Sequence, residues 1–68
     1  MEAVEAVLEQ LRVLDAKPDT PMSIFDIGVP LMKAGHSQEM LVNALFYLES
    51  KKTIELLPGN RLRLITPL

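Results

Sequence analysis

The chain has 68 residues, a formal net charge of −2, 49% apolar residues, three aromatics (Phe25, Phe46 and Tyr47) and no cysteine. This length suits one domain, and the missing cysteines exclude disulfides, thiolate metal sites and cysteine nucleophiles. The slightly acidic balance excludes strong polyanion binding on overall charge alone, and no run of about 18 apolar residues offers a membrane span.

The mean hydropathy, +0.21, is high for so short a chain. A small domain buries only about 60% of its unfolded surface, so the core is expected to be aliphatic and dense. The apolar surplus is expected to leave side chains on the surface for an interface. The charge is uneven. Residues 1–27 carry Glu2, Glu5, Glu9, Asp15, Asp19 and Asp26 against Arg12 and Lys17, a net of −4. Residues 28–68 carry Lys33, Lys51, Lys52, Arg61 and Arg63 against Glu39, Glu49 and Glu55, a net of +2. The two halves are expected to face different surroundings. Glu2 and Glu5 near the start do not read as a secretory signal, and a cysteine-free chain is expected in the cytoplasm or another reducing compartment.

Val4, Val7, Leu8, Leu11 and then Leu14 or Asp15 recur at helical spacing, predicting an amphipathic helix over about 2–16. Pro18 and Pro21 end it, because neither can continue a helix and each pushes its predecessor to extended geometry. A short extended piece is expected near Pro21–Ser23. A second helix over about 24–34 follows, with Ser23 as its cap, Asp26 in its first turn and Ile24, Ile27 and Leu31 inward. Pro30 is expected to kink or interrupt it, the alternative being a loop through Asp26–Gly28 and a short helix from Val29. Gly35 closes this helix in the left-handed conformation.

Ser37 is placed to cap a third helix over about 38–51. Leu41, Ala44, Leu45 and Leu48 form its inner stripe, which turns Glu39, Asn43, Phe46 and Ser50 outward with Val42 and Tyr47 at the flanks. Alternation in 53–57 and 61–65 around Pro58-Gly59-Asn60 predicts a hairpin. Ile54, Leu56, Leu62 and Leu64 share one face of it, and Pro58-Gly59 suit the centre of a type II turn. Met22, Met32 and Met40 are expected as core filler.

The motifs AGHS, ALFYLES and KKTIELLPGNRLRLI resemble the helix turn, the third helix and the wing of the winged helix-turn-helix superfamily. The resemblance is clearest from Ser23 to Ile65 and implies an α+β domain of order α-(short β)-α-α-β-β. It also implies one of two functions, since winged helices serve both as DNA readers and as protein-docking modules.

The leading expectation is a DNA-binding regulator with the third helix in the major groove. Gln38, Glu39, Asn43 and Tyr47 would then lie near base edges. Lys33, Lys51, Lys52, Arg61 and Arg63 would meet phosphates. So few basic groups imply a homodimer if DNA is the target. The alternative is a docking module within an assembly, with Val42 and Phe46 at the interface. Tyr47 is expected to pack inward and Phe46 to stay exposed. His36 is read as a solvated turn residue, and Ser37 beside it makes no catalytic pair without a converging orienter. Gly28, Gly35 and Gly59 match no phosphate loop. No catalytic site, metal or cofactor is expected.

Overall fold

A computed structural model describes residues 2–68. Three helices, α1 (Ala3–Val13), α2 (Phe25–Lys33) and α3 (Gln38–Ser50), combine with strands β1 (Met22–Ser23), β2 (Ile54–Leu57) and β3 (Arg61–Leu64). This is the α+β order expected of a winged-helix domain. The sheet runs β1-β3-β2 and is antiparallel throughout. The short β1 docks Met22 opposite Leu62, on the edge of β3 that β2 leaves free.

The wing register pairs Ile54 with Leu64 and Leu56 with Leu62. A period of two therefore puts these four apolar side chains on one face and Glu55 opposite Arg63 on the other. Gly59 takes φ +80, as the third position of a type II turn requires, and Asn60 follows at φ +58, completing a three-residue loop. α1 packs on both α2 and α3, and α3 packs on β2. Val7, Leu11, Ile27, Ile54, Leu62 and Leu64 are fully buried where these elements meet.

All three helices stop the same way. The N–H of the residue two past the C-cap donates to the carbonyl of the third-last helical residue: Ala16 to Leu11, His36 to Leu31, and Thr53 to Leu48. The intervening residue is left-handed: Asp15 at φ +54, Gly35 at +107 and Lys52 at +61. This closure ends α1 at Val13, three residues short of the expected end, and leaves Leu14 exposed. The inner stripe of α1 is accordingly Ala3, Ala6, Val7 and Leu11, with Val4 and Leu8 only partly buried.

α2 corrects two expectations. It runs unbroken through Gly28 and Pro30, so neither the interruption nor the loop at 26–28 occurs. Pro30 removes one donor, the partner of the Asp26 carbonyl. Asp26 and Pro30 are both exposed, so water can satisfy that carbonyl, while Ile27 and Leu31 anchor the helix in the core. Ser23 lies in β1 and Ile24 is the N-cap residue, yet the Ser23 hydroxyl still accepts from the Phe25 N–H at 3.1 Å. Ser37 caps α3 as expected, accepting from the Met40 N–H at 3.2 Å. Among the methionines, Met22 packs against the core, whereas Met32 and Met40 are about half exposed and fill no core space.

Candidate functional site: a groove between α2, α3 and the wing

The inner stripe of α3 is buried at Leu41, Ala44, Leu45 and Leu48. One hundred degrees per residue then sends Val42 and Phe46 towards α2 and Met40, Asn43 and Tyr47 towards α1. On α2, Ile27 and Leu31 turn inward, which leaves Phe25, Val29 and Met32, at i, i+4 and i+7, on a second apolar stripe. The two outer stripes face each other across a groove of about 440 Å³. Its floor is Val7, Ile27, Leu41 and Leu45, and Leu56 of β2 and Asn60 of the wing loop close one side. The buried residues among those described are all aliphatic or alanine, so the floor offers a ligand no polar side chain.

The expected interface residues Val42 and Phe46 both line this groove, as does Gln38, which was expected near DNA base edges. Phe46 is 56% exposed, as expected. Tyr47 is 50% exposed and is not packed away. It lines a shallow hollow on the other flank of α3 with Val4 at the start of α1, Met40 and Asn43. Glu39 is exposed in the first turn of α3.

The basic residues do not form one surface of free charges. Arg63 is the most engaged. Its Nε donates to Glu55 Oε1 at 2.5 Å and its Nη1 to Asp19 Oδ1 at 2.6 Å. The hydrogen bond and charge of Glu55, joined by Asp19, raise its pKa above the ordinary arginine value. Arg63 thus clips the loop after α1 to the wing. The Lys51 ammonium stands 5.6 Å from the centre of the Tyr47 ring. Lys52 is spent on the helix closure by its backbone, although its side chain is exposed. Lys33, Lys52 and Arg61 are exposed and make no ion pair among the described residues.

The groove wall of Phe25, Val29 and Met32 is the part that sequence reasoning missed. The signal was present: a second apolar stripe, roughly opposite Ile27 and Leu31, on a helix too short to bury both. One further contact shapes the site. The Glu49 carboxylate accepts from the Leu56 N–H at 3.2 Å, occupying an outward-facing donor on β2 beside the groove. Among the described residues no helix is long and apolar enough to cross a membrane. Comparison with family models, with characterised proteins and with solved structures returns no match.

Proposed function

We propose that this domain is a protein-docking module that receives its partner in the groove between α2 and α3, and that it carries no catalytic chemistry of its own. One observation carries the reading: Phe25, Val29, Met32, Val42 and Phe46 stay substantially exposed and line one concave surface. Contiguous exposed apolar area on a small domain marks an interaction site. A helix that reads a major groove instead presents donors and cations to base edges and phosphates. Here the outward face of α3 offers Glu39, Asn43, Phe46 and Ser50, and Arg63 is already held by two carboxylates.

DNA binding is the second reading, favoured by the exposed Lys51, Lys52 and Arg61 at the end of α3 and on the wing. A paired experiment separates the two. A photo-crosslinking amino acid at position 46 should join the domain to a protein partner in cells, while the same group at position 9 should not. Random-sequence duplex should leave the purified domain unbound at about 50 mM salt. Tight, steeply salt-dependent duplex binding with no crosslink from position 46 would reverse the order of the two readings.

A further inference from the structure

Resting on the docking reading, we propose that the occupant of the groove is a short amphipathic α-helix of a partner protein, apolar on its inner face and basic at its flanks. Area argues against a second copy of this chain. The five exposed side chains, from 39% exposed at Val42 to 59% at Phe25, present on the order of 400 Å² in total, taking about 150–250 Å² for a whole large side chain. An obligate homodimer covers about 1,000 Å² or more on each partner, about 65% of it apolar, which is more apolar surface than these side chains present. A single inserted helix needs only a groove and a few anchors.

The walls argue for a helix over an extended peptide. Val42 and Phe46 are i, i+4 on α3, and Phe25, Val29 and Met32 are i, i+4, i+7 on α2. Each wall is a helical ridge of the kind that packs against a third helix. A strand would instead have to add to the neighbouring β2 edge. There the Leu56 N–H is already taken by Glu49, which blunts the edge against strand addition. The 13 residues of α3 span about 20 Å, which matches a partner helix of about 12 residues.

Charge selects the flanks. No groove-lining side chain is ionisable. The ionisable groups next to the lining are Asp26 and Lys33 on α2, Glu39 on α3 and Arg61 after Asn60 on the wing, with Glu49 held at β2 by the Leu56 N–H, three carboxylates against two cations on a chain of net −2. Glu39 and Glu49 stand one turn before Val42 and one turn after Phe46. Lysines or arginines at the ends of the bound helix complement them and speed its encounter.

The test uses two displayed peptide libraries. One has a helix-favouring frame, with i, i+4 and i+7 varied among apolar residues and serine, and the flanks varied among Lys, Glu and Gln. The other is unrestricted. Selection should enrich apolar residues at all three inner positions with Lys at the flanks. The winning peptide, synthesised, should become helical on binding and shift the amides of Val29, Val42 and Phe46. Phe46→Ser should weaken it on the order of 30-fold, with circular dichroism confirming that the variant stays folded. Glu39→Lys, at an exposed position, should weaken the Lys-flanked winner and strengthen its Glu-flanked counterpart, both effects fading at high salt. Winners from the unrestricted library that shift the groove amides without becoming helical would overturn the helical occupant and leave the docking reading intact, as would preference for Glu flanks overturn the basic partner alone. A dimer of the free domain that sediments as such and is dissociated by Phe46→Ser would replace the partner with a second copy. No enrichment, or amide shifts confined to other faces, would overturn both the occupant and the docking groove.

Discussion

Two single substitutions at adjacent positions of α3, Leu45→Ala and Phe46→Ser, test how the helix is rotated and therefore which surface is free. Leu45 is 6% exposed and sits between the core and the groove floor. Truncating it removes buried methyl groups and leaves a cavity, a loss of about 2–5 kcal/mol. Phe46 keeps 56% of its surface in water, so it loses less than half of the about 1.5–3 kcal/mol that full burial contributes, or about 1 kcal/mol. Phenylalanine and serine have similar helix propensity, which adds little. In a domain of this size each kcal/mol moves Tm by about 4–8 °C. Leu45→Ala should therefore lower Tm by about 10–30 °C, or leave the chain unfolded at room temperature, since total stability is only about 5–15 kcal/mol. Phe46→Ser should lower it by about 4–8 °C. Thermal unfolding followed by circular dichroism at 222 nm reads both. Equal losses, or a folded Leu45→Ala beside an unfolded Phe46→Ser, would mean that α3 is turned the other way and that the groove does not exist as described.

Other substitutions test individual links. Gly28→Ala should stabilise by about 0.5–1 kcal/mol, because the position is helical and nothing lies within 4 Å of the added methyl; a loss in chemical denaturation would show that α2 is not continuous there. Lys52→Gly should also stabilise, by up to about 1 kcal/mol, by relieving the left-handed backbone at φ +61. Ser37→Ala should cost about 1 kcal/mol through loss of the cap to the Met40 N–H, with no change in apolar-peptide binding. If duplex binding is detected at all, Arg61→Ala should lower the log–log salt slope by about one. Arg63→Ala should leave that slope nearly unchanged, since its guanidinium is engaged by Glu55 and Asp19. Equal effects of the two would show that the clip opens on DNA.

Much of the fold was legible because it depends on neighbours in the chain. The stripes at 3.6 and 2 residues placed α3 and the wing to within a residue, Ser37 and Gly35 marked a start and a stop, and Pro58-Gly59 marked the hairpin tip. Each is a local rule about where one side chain or one φ angle can sit. The outward face of α3 followed from the same arithmetic, and so did the exposure of Phe46. What failed locally failed for tertiary reasons. The penalty of Pro30 inside α2 is real, but it removes a hydrogen bond at an exposed carbonyl, while Ile27 and Leu31 gain burial that depends on α1 and α3 being in place.

The candidate site divides along the same line. The sequence by itself determined which side chains are apolar and which helical face each occupies, so Val42 and Phe46 could be named as candidates for an exposed apolar surface. Only the tertiary structure decided that α2 presents Phe25, Val29 and Met32 opposite them, that α1 leaves Tyr47 half uncovered, and that Glu49 occupies the edge of β2. It also decided the fate of Arg63. Its partner Asp19 lies 44 residues away in the chain, and no periodicity relates two such positions. Periodicity is a property of one element, whereas a groove, an ion pair and a capped strand edge exist only where two elements meet, at a separation and angle set by how the whole core packs.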